Sequence, residues 1–343
     1  MAINDRKESW LKMKKSVLLL YGGQEESDIS ILSSSYIIEC LAEIKDLRII
    51  TCFFSVSGEL FLSNSIDQKI FSESDKITFA EGSIQKGNIN IKIDYCIPCI
   101  HGAPGESGDI QPILEYYKIP YLGNNSETSK ICFNKISTKL WIEKIGIPTT
   151  PYKIITPADT SESMAIKYKE LGKNVFIKAS SQGSSIGCYP VDDEASFTSS
   201  VAEAMKFGPY TLVEKEVKAR EIEVAVFEYQ NEIFISHPGE ILHQNSFYSF
   251  DAKYSSNSPA TTTLSPSISK ETKDLIHEYS SKIFKAINLK DLSRIDYFLL
   301  ENGQLYLNEI NTFPGLTKIS LFPKLLETTN ISFKKYLLDR INH

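Results

Sequence analysis

The stretch LSRIDYFLLENGQLYLNEINTFPG, residues 292–315, has the pattern of a β-hairpin. Apolar side chains alternate with other residues along its first half, and Glu-Asn-Gly is a turn signal between two apolar runs. Side chains two positions apart on a strand share a face. Arg294 and Asp296 therefore share a face of the first strand, and Glu309 and Asn311 share a face of the second. If the register brings these faces together, one guanidinium lies beside three side chains that carry oxygen.

Two interpretations of this hairpin remain open. Asp, Glu and Asn supply hard oxygen ligands, which Mg²⁺ binds when substrate phosphates fill its remaining positions. The alternative is a structural salt bridge from Arg294 to Asp296 or Glu309. An isolated Arg-x-Asp favours the salt bridge, whereas Glu-x-Asn on the other strand of the same hairpin favours a metal ion with a nucleotide.

Composition restricts the class of protein. A chain of 343 residues suits two or three domains, and 42% hydrophobic with 23% charged residues is usual for a globular protein. The net charge of -6, without a basic stripe, argues against a nucleic-acid partner. No apolar run approaches the ~20 residues of a membrane helix, and the first residues do not have the pattern of a signal peptide. We expect a cytoplasmic protein without a membrane partner.

The first part of the chain alternates predicted strands and helices. SVLLLYGG, LRIITCFFSV and IDYCIPCIHG are predicted strands, and SDISILSSSYIIECLAEI is a predicted helix. This order is typical of a parallel sheet with helices on both faces, which binds ligands beyond the carboxyl ends of its strands. We therefore expect Gly22, Gly23 and the loop HGAPGESG at the functional edge. We interpret Cys96 and Cys99, a Cys-x-x-Cys pair, as buried strand residues rather than as a redox pair or half a zinc site.

The middle of the chain holds a candidate phosphate site. SKICFNKISTKLWIEKIG is predicted as one helix that ends at Gly146. NVFIKASSQGSSIGCYPV is predicted as strand, Gly-rich loop and strand, and the loop is either a phosphate cradle or a plain turn. Lys178 ends a buried strand and needs an anionic partner, for which a phosphate is suitable. The polar segment that begins NSFYSFDAKY suits either a lid or a disordered linker.

Taken in order, these motifs are similar to those of the ATP-grasp superfamily, and within it the chain resembles the D-alanine–D-alanine ligases. The resemblance covers residues 15 to about 330 and rests on HGAPGESG, GSSIG, REIEV, FYSFDAKY and RIDYFL…YLNEINTFPGLTKISLFPKL together. It implies an α/β (α+β) fold of three domains that clasp ATP. The predicted divisions are an N-terminal extension at 1–14, a Rossmann-like domain at 15–130, a central ATP-grasp subdomain at 131–212, and a C-terminal ATP-grasp subdomain at 213–343 with an ω-loop at about 245–268.

The resemblance also implies an activity. It implies that ATP drives the joining of two D-alanines through D-alanyl phosphate, for peptidoglycan precursor synthesis. It also implies two Mg²⁺ or Mn²⁺ ions and a homodimer. One alternative is a relative that takes D-serine or D-lactate as its second substrate, although Tyr254 favours D-alanine. The others are a different ATP-grasp carboxylate–amine ligase, against which HGAPGESG and FDAKY argue, and a catalytically inactive nucleotide-binding protein.

The family's roles carry over to matching positions of this sequence. The residues implied in catalysis and in binding the first D-alanine are Glu26 (rather than Glu25), Ser184, Tyr254, Arg294 and Gly315. The residues implied on the substrate side are His101, Ser320 and Leu321. The residues implied in ATP binding are Lys135, Lys178, Ser185, Glu214, Lys215, Val217, Glu221, Lys253 and Asn308. The implied metal ligands are Asp296, Glu309 and Asn311.

Overall fold

The computed structural model describes residues 14–24, 26–68, 70–242 and 261–343. Nearly all of the predicted N-terminal extension lies outside the described residues, as do Glu25, Lys253, Tyr254 and most of the predicted ω-loop. Among the helices of the described part, none has the length and apolar character needed to cross a membrane.

The described strands and helices have the following bounds. The strands are β1 Lys15–Gly22, β2 Leu47–Phe54, β3 Leu60–Leu62, β4 Lys76–Ala80, β5 Ser83–Lys86, β6 Ile89–Lys92, β7 Tyr95–Pro98, β8 Tyr152–Ile155, β9 Val175–Ala179, β10 Cys188–Val191, β11 Thr211–Lys215, β12 Ala219–Tyr229, β13 Glu232–Ile235, β14 Gly239–Leu242, β15 Thr261–Thr263, β16 Leu292–Leu300 and β17 Leu305–Asn311. The helices are α1 Ser27–Leu41, α2 Gln111–Tyr116, α3 Ser126–Phe133, α4 Lys135–Lys144, α5 Ser161–Leu171, α6 Glu194–Ala204, α7 Lys270–Ala286, α8 Leu321–Glu327 and α9 Phe333–Asn342.

The N-terminal sheet has the strand order β6-β5-β4-β3-β2-β1-β7. The prediction of a parallel sheet holds for β1, which pairs in parallel with β2 and β7, and is wrong for β3 to β6, which pair antiparallel. The strands β4, β5 and β6 are joined by two-residue turns at Glu81-Gly82 and Gly87-Asn88. Turns this short leave no room for a crossover helix, and the positive φ of Gly82 and Gly87 suits a tight hairpin.

The single helix predicted around Asn134 is wrong, because the structure has two helices there. Asn134 ends α3 in an extended conformation and caps α4, since its side chain accepts a hydrogen bond of 2.9 Å from the Ser137 backbone N–H. Its amide also donates to the Ser181 hydroxyl at 2.9 Å. An asparagine that bonds the backbone in this way competes with a continuous helix. The break places Lys135 at the first position of α4, against the Gly-rich loop.

Two further sheets lie in the described part of the chain. The middle sheet has the order β10-β9-β11-β8 and is antiparallel, and β9 and β10 are the predicted strands on either side of the Gly-rich loop. The C-terminal sheet has the order β15-β14-β12-β16-β17, with β13 also paired to β12. The hairpin β16–β17 packs one face against α7 in a core that includes Ile283, Ile295 and Ile310. Its other face is therefore available for the site.

Candidate active site

The hairpin β16–β17 brings the predicted polar side chains together. Arg294 pairs with Asn311, and Asp296 pairs with Glu309. The register then shifts by one residue, because Tyr297 pairs with Leu307, which leaves Asn308 as the extra residue of a β-bulge. Strict alternation would put Leu307 and Glu309 on one face. The bulge instead lets Leu307 stay in the core while Glu309 faces the site.

Arg294 is held by two carboxylates. Its Nε and Nη2 lie 2.8 Å from the two oxygens of Asp296, and its Nε lies 3.0 Å from Glu223 Oε2. Burial alone would lower the pKa of Arg294, but the charges of Asp296 and Glu223 raise it well above its ordinary value. Asn311 donates to Asp296 Oδ2 at 3.0 Å. The salt bridge of Arg294 to Asp296 is thus present in this structure, and Glu223 on β12 is a member of the cluster that the sequence did not single out.

The oxygen-bearing side chains of the hairpin supply part of the ligand set that a magnesium ion needs. In the described ranges of the chain, no three His, Cys, Asp or Glu side chains are grouped so as to hold a metal ion. Asp296 and Glu309 nevertheless lie opposite each other, and Asn311 adds a carboxamide next to them. Two carboxylates and an amide suit Mg²⁺ or Mn²⁺ when phosphate oxygens supply the remaining ligands.

Glu26 meets the Gly-rich loop. It precedes α1 and is 8% exposed, and the Ser184 hydroxyl donates to its Oε1 at 2.7 Å. A side chain at Gly183 would place its Cβ 3.1 Å from the same oxygen, so the glycine allows this close approach. Ser184 and Ser185 both have positive φ, which turns the loop toward the carboxylate. The contact that the family resemblance implies between Glu26 and Ser184 is therefore present.

Lysines surround Glu214 at the base of the same loop. Lys178 contacts Glu214 Oε2, and Lys139 Nζ lies 2.5 Å from Glu214 Oε1. Burial would raise the pKa of Glu214, but Lys178 and Lys139 together lower it to about 2. Lys135 donates to the backbone oxygen of Gln182 within the loop. The predicted Lys135 and Lys178 thus lie at one site, and Lys139 is a third cation that the sequence analysis missed.

A cavity joins the Gly-rich loop to the hairpin. It is lined by Glu106, Lys135, Gly183, Asn308, Glu309 and Asn311, among other residues. Glu106 belongs to the HGAPGESG loop and was not singled out in the sequence. Burial raises the pKa of Glu106 well above its ordinary value, and the nearby Glu26 and Glu309 raise it further. This loop therefore brings a carboxyl group of raised pKa to the cavity.

The candidate residues for binding adenine and ribose lie at the end of β11 and after it. Lys215 is the exposed last residue of that strand, and its backbone N–H donates to the Pro151 oxygen at 2.8 Å. Val217 lies in the connection to β12, and Glu221 lies on β12 on the face that also carries Glu223. These positions form one edge beside Glu214. Glu221 also lies next to the hairpin, because β12 pairs with β16 and Glu221 is opposite Phe298.

His101 and the 313–317 loop form a hydrogen-bonded unit. His101 is 2% exposed, its Nε2 lies 2.8 Å from the Ser33 hydroxyl, and its Nδ1 lies 3.3 Å from the Phe313 oxygen. Ser33 also accepts a hydrogen bond from the Leu316 N–H at 3.2 Å. Burial lowers the pKa of His101 to about 4. Ser33, which the sequence analysis did not select, thus ties helix α1 to the loop that contains Gly315.

The second-substrate candidates follow this loop directly. The Ser320 hydroxyl lies 2.7 Å from the Thr317 hydroxyl, and Leu321 is the first residue of α8. A Cβ at Gly315 would lie 3.0 Å from Ser320 Oγ, so a side chain at this position would crowd that hydroxyl. The structure therefore brings Gly315, Ser320 and Leu321 to one place.

Comparison with known proteins identifies the family. Residues 16–124 match the model for the D-ala D-ala ligase N-terminus, and residues 141–342 match that for the D-ala D-ala ligase C-terminus. The chain belongs to the D-alanine–D-alanine ligase family. It is 42% identical over 335 residues to the D-alanine–D-alanine ligase of Shewanella piezotolerans, covering 95% of this chain and 97% of the relative.

Solved structures of the family share the fold. D-alanyl-alanine synthetase A from Vibrio cholerae has a TM-score of 0.87 and 38% identity, and the alignment covers 96% of this chain and 98% of that one. The VanG D-Ala:D-Ser ligase from Enterococcus faecalis has a TM-score of 0.84 at 24% identity, and the alignment covers 96% and 99%. The second likeness concerns the fold alone. Together with the three sheets, the first supports the predicted α/β architecture of the ATP-grasp type.

Proposed function

We propose that the protein is an ATP-dependent D-alanine–D-alanine ligase that makes D-alanyl-D-alanine, ADP and phosphate for peptidoglycan precursors in the cytoplasm. The observation that carries this is the contact between Glu26 and Ser184. It puts a buried carboxylate, suited to a substrate ammonium, directly on the Gly-rich loop, which follows the strand of Lys178 and accepts a hydrogen bond from Lys135. A site for an amino acid and a site for ATP phosphates thereby become neighbours.

The reaction has two steps. The carboxylate of the first D-alanine attacks the γ-phosphate of ATP, which forms D-alanyl phosphate and releases ADP. The free amine of the second D-alanine then attacks the acyl carbon, and the tetrahedral intermediate expels phosphate. Direct condensation fails in water because oxide is a poor leaving group. The protein contributes positioning and charge stabilisation, and no side chain needs to act as a covalent nucleophile.

Charged side chains of the site fit the first step. Glu26, oriented by Ser184, binds the ammonium of the first D-alanine, and Tyr254 is proposed to join them. Lys135 and Lys178 bind phosphate oxygens. Arg294 is bonded to Asp296 and Glu223, and its guanidinium is proposed to stabilise the charge of the reacting carboxyl and phosphoryl groups.

The 313–317 loop fits the second step. The backbone N–H of Gly315 stabilises the oxyanion of the tetrahedral intermediate. Ser320 and Leu321 bind the carboxylate of the second D-alanine, since they follow Gly315 and begin a helix. His101, which is bonded to the same loop, belongs to the substrate side of the site.

Nucleotide and metal sites complete the proposal. The adenine and ribose lie along Glu214, Lys215, Val217 and Glu221, while Ser185, Lys253 and Asn308 contact the nucleotide. Asp296, Glu309 and Asn311 would hold two Mg²⁺ or Mn²⁺ ions, which neutralise phosphate charge when they are bound. A homodimer, as the resemblance implies, is tested by light scattering of the purified protein.

The choice of acceptor distinguishes the main proposal from its alternative. Because VanG, a D-Ala:D-Ser ligase, has a similar fold, the fold alone does not determine which acceptor is used. The 42% identity to a D-alanine–D-alanine ligase favours D-alanine. The decisive assay measures phosphate released from ATP with D-alanine, D-serine, D-lactate or L-alanine, and the mass of the product. We expect D-alanyl-D-alanine from D-alanine alone; a preference for D-alanine plus D-serine or D-lactate would establish the alternative.

A further inference from the structure

Lys139 has no role among the residues discussed above, yet it is one of the most enclosed charges of the site. It lies one helical turn after Lys135 on α4, and its side chain is 3% exposed. Its Nζ lies 2.5 Å from Glu214 Oε1, 3.3 Å from the Thr150 oxygen and 5.0 Å from the centre of the Tyr152 ring. These partners come from β11, from β8 and from the residues just before β8, and the Lys139 side chain is enclosed among them.

Glu214 is shared between two lysines of different accessibility. One carboxylate oxygen contacts Lys139, and the other contacts Lys178. The Lys178 side chain is 17% exposed and that of Lys139 is 3% exposed. Lys178 lies opposite Cys188 in the β9–β10 ladder, at the end next to the Gly-rich loop, and its more exposed side chain makes it the lysine on the loop side of Glu214. Lys139 is the lysine on the protein side.

This arrangement matters when a phosphate arrives. If Lys178 turns from Glu214 to a phosphate oxygen, it leaves behind a carboxylate whose side chain is only 4% exposed. A buried carboxylate without a counter-ion is strongly disfavoured, so with one lysine the transfer would be opposed by the charge left behind. With two lysines, one can leave while the other neutralises the carboxylate.

We propose that Lys139 is a positioning residue that keeps Glu214 neutralised and in place while Lys178 changes partner from Glu214 to a nucleotide phosphate. This inference rests on the proposed ATP-dependent function and adds a member to its nucleotide site. A simpler role for Lys139 is a structural tie between α4 and the middle sheet through the Thr150 oxygen and the Tyr152 ring, contacts that do not depend on the charge of Glu214. The two roles differ in one respect, because only the electrostatic role becomes unnecessary once Glu214 has lost its charge.

The experiment measures binding of the ATP analogue AMP-PNP, with Mg²⁺, by isothermal titration calorimetry. Lys139→Met keeps most of the length of the side chain and removes its ammonium group. We expect it to weaken AMP-PNP binding at least tenfold and to change the KM for D-alanine less than threefold. Lys144→Met removes a charge from an exposed position of the same helix, and we expect AMP-PNP affinity within twofold of the unaltered protein.

The double variant Lys139→Met with Glu214→Gln gives the sharper comparison. Without a carboxylate to neutralise, the double variant should bind AMP-PNP within about threefold of the Glu214→Gln variant alone. A further tenfold loss from Lys139→Met in that background would show a structural tie and overturn the inference, as would unchanged binding in Lys139→Met alone. If Lys139→Met does not fold, the comparison in the Glu214→Gln background decides by itself. Unaltered protein that binds AMP-PNP but does not ligate D-alanine would count against the proposed function only.

Discussion

The hydroxyl of Ser184 donates to Glu26 Oε1 at 2.7 Å, although the two residues lie 158 positions apart. One comes from the start of the first helix, and the other from the tip of the middle sheet's Gly-rich loop. The contact therefore exists only when the N-terminal and middle sheets are assembled. It places the amino-acid pocket against the phosphate loop.

Glu26→Gln is expected to weaken binding of the first D-alanine. The amide keeps the shape of the side chain but loses the charge that attracts the ammonium, and a hydrogen bond to a charged group contributes about 1.5–3 kcal/mol. The KM for D-alanine should rise about 10- to 100-fold, while the KM for ATP changes little. Ser184→Ala, which only removes the orienting bond, should have a smaller effect. Steady-state phosphate release measures both, and an equal rise in the two KM values in Glu26→Gln would contradict the assignment.

Glu309→Gln is expected to lose most turnover without loss of the fold. The carboxylate faces the cavity rather than the core, so the amide should be accommodated, but it is a poorer ligand for Mg²⁺. The measurement is kcat across a range of Mg²⁺ concentrations, together with the melting temperature. Glu301→Gln, at the exposed turn of the same hairpin, is the matched control. Full activity of Glu309→Gln at ordinary Mg²⁺ concentration would exclude the proposed role.

We expect protonation of His101 to lower the free energy of unfolding in mild acid. We do not expect its titration to control the rate of the reaction. Its pKa falls from 6.5 to about 4 in the folded state, so the unfolded chain binds more protons between these values. Stability due to the neutral ring is present above pH 6.5 and is lost as the pH falls toward 4. Between pH 7.5 and pH 5 the loss should be about 2 kcal/mol.

Urea unfolding at these two pH values measures the loss, and His101→Asn is the comparison. Asn offers an amide donor for the Phe313 oxygen but does not titrate, so the variant should lose about 2 kcal/mol less than the unaltered protein on acidification. Identical acid sensitivity of the two proteins would show that His101 does not titrate in this way.

Asn124→Asp is expected to destabilise the hairpin that carries Arg294 and Asp296. The Asn124 amide donates to the Leu292 oxygen at 2.9 Å and to the Thr312 oxygen at 3.1 Å, so it ties the open ends of β16 and β17. A carboxylate there faces two carbonyl oxygens without a proton to donate.

The expected cost is about 3 kcal/mol in the free energy of unfolding, since two hydrogen bonds are lost and buried acceptors are left facing a charge. The free energy of unfolding, measured in urea, and kcat should both fall. Asn88→Asp, in an exposed turn of the N-terminal sheet, should change neither. A loss below 0.5 kcal/mol in Asn124→Asp would mean that the hairpin does not depend on this side chain.

The local pattern of the hairpin could be derived from sequence because it depends on neighbours along the chain. Residues two apart on a strand share a face, which was enough to place Arg294 and Asp296 on one face of the first strand, and Glu309 and Asn311 on one face of the second. The bulge at Asn308 could not be derived in this way. It arises because the strand must place both Leu307 in the core and Glu309 in the cavity.

Sequence similarity to a family also supplied positions that no local rule provides, such as Ser184 opposite Glu26. The resemblance did not point to residues that position other side chains of the site. Glu223 forms an ion pair with Arg294, and Lys139 forms one with Glu214. The Ser33 hydroxyl is hydrogen-bonded to His101. Their partners come from other elements of the fold, so no spacing along the chain reveals them.

The sequence by itself determined the class of fold, the turn of the hairpin and the residue types gathered for a nucleotide and an amino acid. Tertiary structure decided which charges are buried together. Several lysines in one sequence are ordinary, but Lys139 and Lys178, which share the enclosed Glu214, differ in accessibility, and burial governs how strongly each charge interacts. Because dielectric environment depends on packing rather than on chain order, the partners of Glu214 and Arg294 could be known only from the assembled protein.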